Sequence, residues 1–85
     1  MKHHATPAFW SAYGDLPPDV KRVADRCFAL LKADPLHPSL HFKRAGRLWA
    51  VRAGLYHRAL GVAIDAGVLW FWIGSHAQYD KLITD

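Results

Sequence analysis

Apolar residues fall into three rhythms along this chain, and each predicts a different element. Between Asp19 and Lys32 they recur at steps of three and four, as Val20, Val23, Ala24, Cys27, Phe28, Leu30 and Leu31. That period predicts a helix with one wide apolar stripe, leaving Lys21, Arg22, Asp25, Arg26 and Lys32 on the opposite side. Asp19 in its first turn and Lys32 in its last suit the helix dipole. Upstream, Thr6-Pro7 reads as an N-cap followed by proline at the first helical position, where its missing N–H costs nothing. Phe9 and Tyr13, four apart, share a face of the short helix that follows. Gly14 and Pro17-Pro18 end that helix, and Lys2–Ala5 predicts a short strand before it.

The prolines of "ADPLHPSL" bar a helix and extend the chain. After them the rhythm is that of strands: "LHFKRA", then "RLWAVRAG", "LYHRALGVAI", the turn "DAG" and "VLWFWI". Asp65-Ala66-Gly67 predicts a tight hairpin with glycine available for positive φ. The run Val68–Ile73 is apolar throughout, as expected of a central strand covered on both sides. His76–Ile83 predicts a terminal turn or short helix. The fold class is therefore α+β: two N-terminal helices on one face of a small, mainly antiparallel sheet in the order β-α-α-β-β-β-β, with a short C-terminal helical turn. Residues 1–85 make one domain.

Composition narrows the class. At 52% hydrophobic with four tryptophans, the chain is far too apolar for a disordered tail. Its longest uncharged apolar stretch, Ala66–Gly74, is much shorter than the ~20 residues of a spanning helix. With no signal-like start and a single cysteine, Cys27, the expected compartment is a reducing one, the cytoplasm. Cys27 lies in the apolar stripe, so its default role is a small core residue.

The net charge of +4 becomes informative through its distribution. Between Pro35 and Ile64 there is no Asp or Glu, while Lys43, Arg44, Arg47, Arg52 and Arg58 lie there with His37, His41 and His57. A segregated basic stretch is the footprint expected of a phosphate-binding surface; the bland alternative is a solvated sheet edge defended by cations. Strand alternation puts Tyr56, Arg58, Leu60, Val62 and Ile64 on one side of their strand, with Arg58 towards the open face. His76 follows the central strand after Gly74-Ser75, so its ring stands at the strand's mouth. There it suits proton transfer, or simply caps the strand end. His37 and His41 are separated by Pro38 and share no helical face, and no zinc-ligand spacing or dinucleotide or phosphate-loop motif occurs.

The segments "LWAVRAGLYHRALG" and "LWFWIGSHAQYDKLI", with "LPPDVKRVADRCFALLKADPLHPSLHFKRAG" before them, make the chain resemble the RelE/ParE superfamily of type II toxin–antitoxin toxins. The resemblance implies a small α+β domain with an active or binding face on its curved sheet, neutralised by a cognate antitoxin. Its RelE-like branch implies a cofactor-free, metal-independent mRNA endoribonuclease that inhibits translation, often on the ribosome, and makes no use of membranes. There the RNA's own 2′-hydroxyl attacks the adjacent phosphate. Arg58, His76 and Tyr79 match the catalytic positions, and Lys43, Arg44, Arg47 and Arg52 are RNA contacts or charge stabilisers. The sequence departs from nuclease members in having one arginine in "WAVRAG" and no glutamate to serve as base, which leaves acid and base unassigned. The ParE-like branch implies instead a non-nuclease inhibitor of DNA gyrase, and a third alternative is an inactive, peptide-binding orphan.

Overall fold

The computed structural model describes residues 1–84, the side chains of Ala45 and Thr84 excepted. Its elements run β1 (Lys2–Ala5), α1 (Pro7–Gly14), α2 (Pro18–Ala33), β2 (Lys43–Ala45), β3 (Leu48–Arg52), β4 (His57–Ile64), β5 (Gly67–Ser75) and α3 (His76–Thr84). The five strands form one sheet in the order β1-β5-β4-β3-β2. Every pairing is antiparallel except that of β1 with β5. Helices α1 and α2 carry the chain from β1 at one edge to β2 at the other, and the hairpins then return across the sheet until β5, the last strand in sequence, sits between β4 and β1.

The local signals explain most boundaries. Thr6 Oγ1 accepts a hydrogen bond from the Phe9 N–H at 3.1 Å, and Pro7 follows it as the first residue of α1. A cap of this kind is worth about 1 kcal/mol. The α2 stripe buries Ala24 and Leu31 against Val51, Ala53, Ala59, Val68, Trp70 and Ile73, the helix-covered face of the sheet. A cavity of about 270 Å³ remains between α2 and the sheet, with His3, Phe9, Cys27, Phe28, Leu31 and Trp70 in its walls. Trp70 donates its indole N–H to His3 Nδ1 at 3.1 Å, tying β1 to β5 through side chains as well as backbone.

Two expectations change, and the sheet carries a bulge besides. The hairpin's positive φ falls on Ala66 (φ 63°), not on Gly67. Gly67 is needed for space, because a Cβ there would collide with the Lys2 backbone of the parallel neighbour. The strand expected over "LHFKRA" shrinks to Lys43–Ala45: a 3₁₀ turn begins at Pro38 and ends at Leu40, and His41 then adopts a left-handed conformation (φ 45°, ψ 45°). Proline tolerates the first position of such a turn for the same reason that it tolerates a helix start. Finally, the register of β4 on β5 slips between Leu60 and Gly61, leaving Phe71 as an extra residue. That bulge puts two successive large side chains, Phe71 and Trp72, with the second core of Ala50, Leu60 and Tyr79 under α3. The unbroken apolar run is thus a strand covered by α1 on one side and by α3 on the other.

Candidate functional site

Antiparallel register decides which cations meet. Arg52 of β3 is the direct partner of Arg58 on β4. Directly opposite residues share a sheet face with Cβ atoms ~4.5–5.5 Å apart, and like charges so placed repel. Across the next ladder Arg58 pairs with Gly74. On the other side, Lys43 pairs with Ala50, and His41, two residues before β2, lies close enough to Arg52 for that guanidinium to act on its imidazole. One row therefore crosses the sheet near its end, Arg52, Arg58, Gly74, with His41 on the turn beside Arg52. Gly74 contributes no side chain, and a Cβ there would meet the Trp72 ring and the Gln78 amide oxygen.

Helix α3 starts where it does because of a reciprocal cap. Gln78 Oε1 accepts from the Ser75 N–H at 3.0 Å while Ser75 Oγ accepts from the Gln78 N–H at 3.2 Å. This box makes His76 the first helical residue, and its N–H still extends the sheet ladder by donating to the Tyr56 carbonyl at 2.7 Å. One turn on, Tyr79 is folded back over the sheet with 4% of its surface exposed. Its ring centre lies 5.5 Å from the Arg58 guanidinium and 6.0 Å from the His76 ring. Arg58, Tyr79 and His76 are thus gathered at one end of the sheet, on the face away from α1 and α2. His76 Nδ1 also approaches Asp80 Oδ2 at 3.4 Å.

Arg58 is 8% exposed, the one charged side chain buried among the described residues. The Nε–H groups of both Arg52 and Arg58 are buried without a hydrogen-bond partner. Two neighbouring guanidinium groups with orphaned donors are a costly arrangement in isolation. The covered Nε–H groups themselves are out of an anion's reach, so any anion has to be met by the outer guanidinium nitrogens, whose fork matches phosphate geometry.

His41 belongs to the same neighbourhood, although along the chain it stands out only as one of the histidines of the basic stretch and as half of the unsuitable metal-ligand spacing of His37 and His41. The Arg52 guanidinium, then loss of hydration, then Arg58 and Lys43, hold this imidazole below the ordinary histidine range. The signal that could have found it is the spacing His41…Arg52…Arg58 once the two hairpin registers are assumed. The proline-rich segment hid that signal by looking like a plain connector.

The basic stretch does not act as one surface. Lys43 shares the face of Ala50 and so that of the arginine row. Arg44 pairs with Trp49 on the opposite face, its guanidinium 5.0 Å from that ring centre and its Nε–H donating to the Gly46 carbonyl at 3.4 Å. Arg47 sits in the β2–β3 turn, at the far end of β3 from Arg52 and roughly 16 Å along the strand at the usual rise per residue. Arg52 and Lys43 are brought to the site; Arg44 and Arg47 are not. Among the described residues no three His, Cys, Asp or Glu side chains cluster as metal ligands would.

No known family profile matches the sequence, and neither does any curated protein. Solved structures do match in shape. The RelB–RelE antitoxin–toxin complex of Methanococcus jannaschii aligns with a TM-score of 0.70 at 8% identity, over 93% of this chain and 96% of that one. The fold is that of the RelE toxins. The isolated RelE toxin of E. coli shares it at a TM-score of 0.62 and 9% identity, over 94% of this chain and 93% of that one. A toxin–antitoxin complex of Mycobacterium tuberculosis, RelBE2, does so at 0.65 and 19%, covering 88% and 96%. The RelE fold thus accounts for almost the whole length of the chain.

Proposed function

We propose that the chain is the toxin of a type II toxin–antitoxin pair and that the arginine row is its RNA-cleaving face. The observation that carries the reading is the cross-strand pair Arg52–Arg58, Arg58 lying beneath the Tyr79 ring. Such a pair is built for an oxyanion. Two preorganised cations facing a phosphate stabilise the extra charge that develops when the RNA 2′-hydroxyl adds to phosphorus, and one such donor is typically worth ~10²–10³-fold. Tyr79 fixes the Arg58 guanidinium from above. His76, placed by the α3 cap at the mouth of β5, carries a proton to or from the reacting oxygens. Lys43 extends the positive surface along the backbone of the strand being cut. The reaction needs no group beyond those of the RNA and these side chains, so neither cofactor nor metal is assigned a step.

The partners follow from the same reading: messenger RNA, on the ribosome or free, and a cognate antitoxin that neutralises the toxin. The Methanococcus and Mycobacterium neighbours, each held with its antitoxin, support the second. The test is induction in a bacterial host without antitoxin, following growth, message integrity and DNA supercoiling together. The expected result is growth arrest with fragmented message, relieved by co-expression of the antitoxin from a neighbouring reading frame. Arrest with intact message and altered supercoiling would transfer the function to gyrase inhibition. No arrest at all would make this an inactive, peptide-binding member.

A further inference from the structure

We propose that His41 is the group that removes the 2′-hydroxyl proton in this cleavage. The inference rests on reading the arginine row as the RNA-cleaving face, and it fills the role that the absence of a glutamate leaves open. In-line attack at phosphorus requires the entering and leaving oxygens on opposite sides of the phosphate. The site supplies that order: His41 stands on the turn beside Arg52, Arg52 and Arg58 lie in the middle, and His76 follows Gly74 on the far side. Two strand spacings, roughly 10 Å, separate Arg52 from Gly74, and the two histidines flank that span, leaving room for a phosphate between their side chains.

The backbone supports the assignment. His41 is one of two non-glycine residues with positive φ among those described, and the other, Ala66, sits in a hairpin. A strained conformation of this kind persists only where the surroundings enforce it, and such residues cluster at functional sites. Here Leu40, with 0% exposure, anchors the turn in the core, and the His41 N–H donates to the Pro38 carbonyl at 3.3 Å. The exposed ring is thus carried on a pinned turn. The charges facing it are Lys43 from β2, Arg52 from β3 and Arg58 from β4, all cationic. On its own turn, His37 is engaged with Ser39 through Nδ1 at 2.8 Å. The cations favour the neutral imidazole, the form that accepts a proton.

The step balances without a further reagent. The 2′-hydroxyl proton passes to His41 as the O2′–P bond forms. The P–O5′ bond breaks, and the departing 5′ oxygen takes a proton from the His76 imidazolium. The products are a 2′,3′-cyclic phosphate and a 5′-hydroxyl, and solvent restores both rings.

The experiment compares wild type with His41→Asn, chosen because Asn tolerates the left-handed region. It measures cleavage of an RNA oligonucleotide against pH, with binding of its uncleavable 2′-deoxy analogue as control. The expected result is a ~10²–10⁴-fold loss of kcat/KM with loss of the acid limb of the pH profile, while the analogue binds as before. Independently of any variant, the His41 ring in the wild-type chain titrates below the free-histidine value of ~6.5. Binding the analogue raises it, because the phosphate offsets Arg52 and Arg58. A variant that cleaves like wild type overturns the assignment while the nuclease reading stands. So does a His41 titration that ignores the bound analogue. A wild-type chain that binds RNA without cutting it overturns the nuclease reading and His41 with it.

Discussion

Replacing Arg58 with methionine separates function from stability in a way that few substitutions in this chain can. Methionine retains the apolar stem that packs beneath Tyr79 and removes the charge. Three terms change. Relief of the Arg52–Arg58 repulsion favours the variant by ~0.2–1 kcal/mol on the scale of cross-strand like-charge pairs. Removing a buried Nε–H that has no acceptor favours it by a further ~1–3 kcal/mol. Losing the guanidinium over the Tyr79 ring costs ~0.5–2 kcal/mol. The sum runs from about 0.8 kcal/mol destabilising to about 3.5 kcal/mol stabilising. Arg58→Met should therefore melt no more than a few degrees below wild type and more often above it, each 1 kcal/mol shifting Tm by roughly 4–8 °C in a domain this small. Cleavage should fall ~10²–10³-fold. The assay is thermal denaturation with and without inorganic phosphate, paired with RNA cleavage. Phosphate at ten times its Kd should stabilise wild type by about 1.4 kcal/mol and leave the variant unmoved. A variant that melts well below wild type, in a protein indifferent to phosphate, would make Arg58 a structural plug under Tyr79 and refute the anion site.

Other outcomes test the surrounding claims. His76→Gln should reduce cleavage and toxicity ~10²–10⁴-fold with an unchanged melt, because the α3 cap uses Ser75 and Gln78 rather than the ring; full toxicity would make His76 a strand-end ornament. Lys43→Ala should lower the slope of log affinity for RNA against log salt by about 0.7, and Arg47→Ala should not, since Arg47 lies at the far end of β3. Equal effects would restore the undivided basic surface. His3 accepts from the Trp70 indole, and burial, followed by the N-terminal ammonium, Lys32 and His4, holds its pKa below the ordinary value. The unfolded chain then binds the proton more readily, so stability is intact above pH ~6.5 and declines as pH falls below it. His3→Asn, whose amide oxygen can still accept from Trp70, should flatten that acid decline in a pH series of melts, and an unchanged slope would remove His3 as its cause.

The sequence disclosed the architecture because its signals are local. The α2 stripe, the Thr6-Pro7 cap and the alternation of β3 and β4 each require only a few residues to read, and each survives folding. The placement of Arg58 on the open face follows from alternation alone. The departures arise where a distant strand intervenes. Gly67 looks like a turn glycine until β1 is laid beside it. The division of Lys43 from Arg44, and of Arg47 from Arg52, depends on pairing register and turn position, which composition does not encode. His41 is invisible for the same reason, since its neighbours Arg52 and Arg58 come from two later strands. One local signal was available and unused: "SHAQ" carries the spacing of a capping box, and it fixes the start of α3 and so the direction of Tyr79.

Chemical analysis of RNA ends tests the central claim most directly. Purified protein is added to a translating extract, and the ends of the message fragments are determined. Attack by the 2′-hydroxyl predicts 2′,3′-cyclic phosphates and 5′-hydroxyls, absent when Arg58→Met replaces wild type. Intact message, or fragments that form equally with the Arg58→Met protein, would contradict the assignment of cleavage to the Arg52–Arg58 row.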